Sequence, residues 1–188
     1  MADIQSMSIP NFITSLRVLL IPVLVVMFYY PAEWRHLAVA GIFTVASLSD
    51  WLDGYLARKW DQHTKFGAFI DPVADKVIVA VALVLLIEEH ASIMLTIPAM
   101  VIIGREIVIS ALREWMAEIG QRTSVAVSYI GKLKTTLQMV AIIVLLMDAP
   151  GTLASWAGMA LLYAAAILTL WSMLVYLSAA WGELSKDI

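Results

Sequence analysis

Six long apolar stretches fill most of this 188-residue chain. They extend approximately over residues 9–30, 36–60, 71–90, 92–117, 130–148 and 152–182. The chain is 62% hydrophobic and only 14% charged, so it has too few polar residues to surround one buried core in water. The pattern predicts an all-α, polytopic membrane protein with six transmembrane helices, folded as a single domain over residues 1–188.

Short polar breaks separate the apolar stretches. The clearest are Pro31, the Glu88-Glu89-His90 cluster and residues 148–151, and each break is too short to hold a separate domain. Because no longer polar segment interrupts the chain, we expect one compact bundle of helices without a linker.

The composition also argues against several classes of function. Cysteine is absent, so a disulfide framework and a thiolate metal site are excluded, and any metal must be held by oxygen or histidine. The net charge of −3 is small and scattered, which gives no support to nucleic-acid binding. The first residues lack a basic segment, so we expect no cleaved signal peptide.

Several apolar stretches are too short to cross a bilayer without including charged residues. About 20 helical residues are needed to cross roughly 30 Å of hydrocarbon, but only eleven uncharged residues lie between Lys76 and Glu88. An ionised aspartate within the bilayer costs roughly 2.5 to 3.5 kcal/mol on insertion scales, so such residues normally face a polar cavity, a metal or a partner charge. The charged helix ends therefore predict a polar, water-accessible cavity.

The distribution of basic residues predicts the orientation of the bundle. The second and fourth loops and their flanks are basic, whereas the first, third and fifth loops carry mainly acidic residues besides Arg35. The basic residues are Arg58, Lys59, Lys65, Arg113, Arg122, Lys132 and Lys134, and the acidic ones include Glu88, Glu89 and Asp148. The positive-inside rule then places both termini in the cytoplasm. On this topology the active-site cavity opens to the cytoplasm.

Four aspartates in the second and third stretches form the strongest candidate site. Asp50 and Asp53 are three residues apart, and Asp71 and Asp75 are four apart, so each pair lies on one face of a helix. Four carboxylates match the charge of two divalent cations, and oxygen ligands suit Mg²⁺ or Mn²⁺ together with substrate phosphates. We interpret this pattern as a two-metal site for a phosphate-containing substrate.

Each part of this pattern also has an ordinary structural explanation. Asp71 directly before Pro72 is typical of a helix start, with the aspartate as N-cap and the proline as first residue. Asp50 and Asp53 could belong to an interfacial helix end, where they pair with nearby basic residues. Only the combination of all four aspartates with Gly54, Gly67 and Arg58 favours the metal site.

The segment from Asp50 to Asp75 reads D-x2-D-G-x2-A-R-x8-G-x3-D-x3-D. It resembles the signature of the CDP-alcohol phosphotransferases at every fixed position. The resemblance implies a six-helix membrane enzyme, usually a homodimer surrounded by membrane lipids, which transfers a phosphoalcohol group from a CDP-alcohol to an acceptor hydroxyl and releases CMP.

The same resemblance implies roles for individual residues. In that family the four aspartates bind two divalent metals and the last one is also the general base, which corresponds to Asp50, Asp53, Asp71 and Asp75 with Asp75 as the base. The positions implied to contact the CDP-alcohol are Asn11, Thr14, Gly54, Ala57, Arg58, Thr64 and Gly67.

A group of basic residues later in the chain predicts the nature of the acceptor. Arg105 and Arg113 are eight residues apart and share a helix face, and Lys132 and Lys134 begin the next stretch. A phosphorylated acceptor requires such cations, whereas a serine or choline acceptor does not need as many.

The basic residues have a structural alternative as well. The arginines could pair with Glu106 or Glu114, and the lysines could extend to the lipid headgroups. Both interpretations remain open at this point.

Further segments resemble one bacterial branch of the family over nearly the whole chain. They are NFITSLRVLLIP, FGAFIDPVADK, GREIVISALREWMAE and VAVSYIGKLKTT. This likeness implies CDP-diacylglycerol as the donor, sn-glycerol 3-phosphate as the acceptor and the bacterial inner membrane as the location. The acceptor phosphate would then bind Arg105, Arg113, Lys132 and Lys134, with Arg17 assisting.

Alternative functions remain within and outside this family. Phosphatidylinositol phosphate and cardiolipin synthases of the CDP-alcohol type share the aspartate motif and differ in the acceptor. A cation transporter would also place aspartates within the membrane, but the outer halves of the third, fifth and sixth stretches are plainly apolar, which argues against a permeation path.

Overall fold

In the part of the chain that it describes, the computed structural model contains six α-helices. It describes the backbone of residues 9–60, 65–120 and 129–184 and, within these, the side chains of residues 15–49, 70, 72–120, 131, 133–178 and 181. The helices are α1 (Ile9–Tyr29), α2 (Arg35–Trp60), α3 (Lys65–His90), α4 (Ile93–Glu118), α5 (Tyr129–Met147) and α6 (Leu153–Leu184). These described ranges contain no β-strand, so the predicted all-α class is confirmed.

The third helix begins earlier than the sequence predicts. It starts at Lys65, so Asp71 lies within the helix and its interpretation as an N-cap is wrong. Pro72 lies inside α3 as well; because proline lacks an N–H group, the carbonyl of residue 68 has no helical donor at that turn. The helix also continues through His90, so the break before α4 consists of residues 91 and 92 rather than of the charged cluster.

Local signals explain the other helix ends. Pro31 follows the end of α1, and a proline cannot continue the backbone hydrogen-bond ladder of a helix. The hydroxyl of Ser92 accepts a hydrogen bond from the Met94 N–H (3.3 Å), which caps the start of α4. Gly151 has a φ of 90° in the turn before α6, a conformation that favours glycine.

The described chain falls into two compact units. The first comprises α1, α2 and α3 as far as Leu85, together with Leu146–Ala149. Within it α1 packs against α2, and a guanidinium Nη1 of Arg35 donates a hydrogen bond to the Phe28 carbonyl across the turn (3.0 Å). Buried residues recur along both helices at intervals of three or four, namely Leu24 and Phe28 on α1 and Val39, Phe43 and Ala46 on α2.

The second unit comprises the remainder of α3, α4, α5 as far as Leu145, and α6. Helix α4 packs against α6, while α5 approaches α6 closely at Gly158. A Cβ atom at Gly158 would lie 2.8 Å from Cγ of Leu145, so only glycine fits there without a shift of the neighbouring side chain or helix. Small residues allow this kind of close approach between helices in membranes.

The outer surface of the described chain is rich in large apolar side chains. Exposed ones occur on several helices and include Leu19, Val26, Leu37, Leu48, Met100, Ile107, Ile167, Trp171 and Leu174. A soluble monomer rarely exposes so much apolar surface, which marks contact with a membrane or another protein. By length and composition, the helical segments Ile93–Glu118 and Leu153–Ser178 are long and apolar enough to cross a membrane.

Hydroxyl side chains in these helices bond to their own backbone. Thr44, Ser47, Ser49, Thr96, Ser110 and Thr135 each donate to the carbonyl four residues earlier, at 2.6–3.0 Å. This local bond satisfies the hydroxyl without water. Such residues are therefore compatible with an apolar surrounding.

Candidate active site

The aspartate motif spans two consecutive helices. Residues 50 and 53 are helical in α2, and residues 71 and 75 are helical in α3, so the spacings of three and four residues occur on helices as predicted. The side chains of Asp50, Asp53 and Asp71 lie outside the described residues. The prediction that they bind metal therefore stays a prediction.

Asp75 is the one aspartate of this motif whose side chain the structure describes. It is half-buried on α3, next to the buried Ala74 and one turn before the buried Val79. The described side chains alone include no group of three acidic or histidine residues that could hold a metal. The motif nonetheless provides four carboxylates and no sulfur ligand, a donor set that suits Mg²⁺ or Mn²⁺.

The positions implied to contact the CDP-alcohol lie at three helix termini or close to them. Residues 11 and 14 belong to the first turns of α1, residues 54, 57 and 58 to the last turns of α2, and residue 67 to the first turn of α3. Thr64 lies outside the described residues, and so do the side chains of Asn11, Thr14, Ala57 and Arg58.

Two of the predicted basic residues, Arg105 of α4 and Lys134 of α5, meet at a glutamate. One oxygen of Glu106, Oε1, accepts hydrogen bonds from Nη1 of Arg105 (2.7 Å) and from Nζ of Lys134 (3.2 Å). Arg105 is only 8% exposed and Lys134 only 5% exposed. Buried cations require partners of opposite charge, and Glu106 provides one to both.

Helix α6 orients both arginines. A guanidinium Nη2 of Arg105 donates to Oγ of Ser172 (3.3 Å), and that hydroxyl donates to the Thr169 carbonyl (2.9 Å). Nη2 of Arg113 donates to the hydroxyl of Tyr176 (3.0 Å), and its Cζ lies 5.1 Å from the centroid of the tyrosine ring, within the range of a cation–π interaction.

The two arginine contacts also give the relative direction of the helices. From Arg105 to Arg113 the partner changes from Ser172 to Tyr176, so residue numbers increase in the same direction along both helices. Helices α4 and α6 therefore run parallel to each other. Helix α5, which lies between them in the chain, runs in the opposite direction.

We name Arg105, Glu106, Arg113, Lys134, Ser172 and Tyr176 the basic cluster.

The basic cluster tests the structural alternative for these residues, in which they pair within the protein or extend to lipid headgroups. Arg105 pairs with Glu106, as the structural alternative predicted, whereas Arg113 donates to Tyr176 rather than to a glutamate among the described residues. The alternative in which Lys134 extends to lipid headgroups is wrong because its ammonium is buried against Glu106. The side chain of Lys132 lies outside the described residues.

Two buried polar atoms next to the cluster have no hydrogen-bond partner in the described structure. They are Nε of Arg105 and Oγ1 of Thr169. A buried donor without a partner costs roughly 1–3 kcal/mol. These atoms are therefore places where a water molecule or a ligand atom would be stabilised.

Sequence reasoning missed the contribution of α6. Thr169, Ser172 and Tyr176 recur at intervals of three and four residues within an otherwise apolar stretch. Such a polar stripe indicates the side of an apolar helix that faces protein rather than lipid. This periodicity was the available signal, but it does not reveal which cation each residue contacts.

The arginine at residue 17 belongs to the first unit. Arg17 is 1% exposed and lies on α1 seven residues before Leu24, on the same buried face. Its burial within an apolar helix face indicates a polar environment around its guanidinium.

The comparisons with known proteins agree with the motif. The family model for CDP-alcohol phosphatidyltransferases matches residues 7–171. The protein named CDP-diacylglycerol--glycerol-3-phosphate 3-phosphatidyltransferase from Salmonella choleraesuis strain SC-B67 is 59% identical over 94% of this chain and 97% of its own length. The protein of the same name from Escherichia coli strain K12 is 58% identical over the same shares. This chain belongs to the CDP-alcohol phosphatidyltransferase family.

Proposed function

We propose that this chain transfers the phosphatidyl group from CDP-diacylglycerol to sn-glycerol 3-phosphate, which yields phosphatidylglycerophosphate and CMP. The observation that carries the proposal is the identity of 58–59%, over nearly the full length of both chains, to relatives named for this reaction. The complete aspartate motif and the basic cluster, with its buried Arg105 and Lys134, are consistent with it.

We infer a single six-helix membrane domain over residues 1–188, located in the bacterial inner membrane with both termini in the cytoplasm. Three observations support this topology: the apolar outer surface, the two helices long enough to cross a bilayer, and the parallel direction of α4 and α6. The excess of basic residues in the second and fourth loops supports the orientation. On this topology the active-site cavity opens to the cytoplasm. The family resemblance further implies a homodimer in contact with membrane lipids.

The four aspartates Asp50, Asp53, Asp71 and Asp75 would hold two divalent cations, Mg²⁺ or Mn²⁺. When bound, such cations neutralise the diphosphate of the donor and stabilise the departing CMP. The carboxylate of Asp75 accepts the proton of the C1 hydroxyl of glycerol 3-phosphate as that oxygen attacks the phosphorus on the lipid side. The new O–P bond forms while the bond from that phosphorus to the oxygen of CMP breaks, so no covalent enzyme intermediate is required.

The donor and the acceptor would bind to different groups of residues. We assign the CDP-diacylglycerol contacts to Asn11, Thr14, Gly54, Ala57, Arg58, Thr64 and Gly67, as the family resemblance implies. We assign the acceptor phosphate to Arg105, Arg113, Lys132 and Lys134. The burial of Arg105 and Lys134 and the unpaired Nε of Arg105 support a site for an anion there.

The decisive experiment is an assay of CMP release by the purified protein with Mg²⁺ and CDP-diacylglycerol. Glycerol 3-phosphate, inositol phosphate, serine and phosphatidylglycerol are compared as acceptors, and a sample with EDTA is the metal control. We expect release with glycerol 3-phosphate alone and none with EDTA. Release with a different acceptor would overturn the acceptor assignment, whereas release with none of them, in a folded protein, would overturn the proposed reaction.

A further inference from the structure

Glu106 has a central place in the basic cluster that the proposed reaction does not yet explain. A single carboxylate oxygen of this residue accepts bonds from a cation of α4 and from a cation of α5. Its side chain is 28% exposed, whereas both cations are almost completely buried. Glu106 is therefore the residue through which the described cations of two helices are connected.

The carboxylate has a clear physical effect on its neighbours. Two buried positive charges close together repel each other, and the repulsion is stronger in a protein interior than in water. A shared carboxylate reverses this balance, because each cation is attracted to the same oxygen. Removing one member of a buried charged group leaves the others uncompensated, which is strongly unfavourable.

The charges of the cluster also suit an anionic acceptor. Arg105 and Lys134 contribute two positive charges and Glu106 one negative charge, which leaves a surplus of one; Arg113 raises the surplus to two, and Lys132, which is also assigned to the acceptor, to three. A phosphate monoester such as glycerol 3-phosphate carries about two negative charges when fully ionised. With Glu106 in place, the cations converge at one point without a large excess of positive charge.

We propose that Glu106 is a positioning residue for the acceptor: it holds the guanidinium of Arg105 and the ammonium of Lys134 together, so that both face the phosphate of the acceptor. The inference rests on the proposed function and deepens it. Glu106 itself does not touch the reacting atoms. Its contribution is the pre-organisation of two cations before the phosphate arrives, which reduces the cost of binding.

The test compares Glu106→Gln with Glu114→Gln in the full-length protein. Both variants lose one negative charge on α4, but Glu114 is exposed and lies outside the basic cluster. The KM values for glycerol 3-phosphate and for CDP-diacylglycerol are measured by CMP release, and inorganic phosphate is tested as a competitive inhibitor. Inorganic phosphate reports on the phosphate contacts alone.

For Glu106→Gln we expect the KM for glycerol 3-phosphate and the inhibition constant of inorganic phosphate to rise together, by about tenfold or more. The KM for CDP-diacylglycerol should change less than about twofold, and Glu114→Gln should resemble the wild type. A variant Glu106→Asp retains the charge on a shorter side chain, so it should restore part of the affinity; it also carries the test if Glu106→Gln does not fold.

Three results would overturn the inference while the wild type remains active with glycerol 3-phosphate. An unchanged KM for the acceptor would show that Glu106 does not position the cations. A lower KM for the acceptor would show that the carboxylate competes with the phosphate. An equal rise in the KM values for both substrates would show a general structural role. If the wild type does not use glycerol 3-phosphate at all, the proposed function itself fails and the inference fails with it.

Discussion

The aspartate motif and the basic cluster are assembled in different ways. The four aspartates lie within residues 50–75 on two consecutive helices, whereas the basic cluster uses residues from 105 to 176 on three helices. The aspartates share one sign of charge, and we propose that they bind metal cations from outside the chain. The basic cluster contains its own counter-charge, Glu106, and its own hydroxyl partners on α6.

This difference predicts different roles in the reaction. A group of carboxylates that binds metal ions, as proposed for the aspartates, would serve the chemical step. A cluster whose cations are positioned by neighbouring side chains is suited to the recognition of one particular anion. Variants of the two regions should therefore have different effects. Variants of the aspartate motif should lose turnover with any acceptor, whereas variants of the basic cluster should lose affinity for one acceptor.

The largest effect is expected for Asp75→Asn. The amide cannot accept the proton of the acceptor hydroxyl, so CMP release should fall by at least about 100-fold. Turnover is measured at saturating concentrations of both substrates, and thermal unfolding is followed to verify that the variant folds. Asp148→Asn is the matched control, because its retained Oδ1 can still accept the bond from the Ala149 N–H. Normal turnover of Asp75→Asn would remove Asp75 from the role of base.

An intermediate effect is expected for Arg113→Ala. Without the guanidinium the KM for glycerol 3-phosphate should rise about tenfold, since a hydrogen bond to a charged group contributes roughly 1.5–3 kcal/mol, while the KM for CDP-diacylglycerol should change little. Arg113→Lys keeps the charge but loses the forked geometry, so its KM should lie between those of the wild type and the alanine variant. If Arg113→Ala raises the KM values for both substrates equally, Arg113 does not act in acceptor recognition alone.

The smallest effect is expected for Tyr176→Phe. The variant loses the hydroxyl that accepts a bond from Arg113 but keeps the ring below the guanidinium. A typical net hydrogen bond contributes about 1 kcal/mol, so the KM for glycerol 3-phosphate should rise only a few-fold, about threefold. Tyr163→Phe on the same helix is the control and should not change either KM. An effect as large as that of Arg113→Ala would show that the hydroxyl does more than orient the arginine.

Much of the fold followed from the pattern of apolar residues. Five of the six helices begin and end within two residues of the predicted stretches, because polar or proline-containing breaks mark their ends. The exception is the start of α3. Asp71 and Pro72 together are typical of a helix start, yet the helix includes both, since a proline one or two turns into a helix removes only one backbone bond.

The sequence predicted the part of the candidate site that depends on spacing along the chain, but not the contacts between packed helices. The helical positions of Asp50, Asp53, Asp71 and Asp75 follow from spacing along consecutive helices. The partners of Arg105 and Arg113 depend instead on how α4, α5 and α6 pack, which local spacing does not determine. Glu106 was considered only as a partner of the arginines, and its bond to Lys134 becomes visible once α5 is placed next to α4.

The close approach at Gly158 has a mechanical consequence for the acceptor site. Leu145 lies eleven residues after Lys134 on α5, a distance of about 16 Å along the helix axis. Because the side chain of Leu145 occupies the space that a Cβ atom at Gly158 would need, the packing of α5 on α6 at this point depends on the absence of a side chain there. A methyl group added at Gly158 would push against Leu145, and we expect a resulting shift of α5 to change the position of the Lys134 ammonium, three turns earlier on that helix.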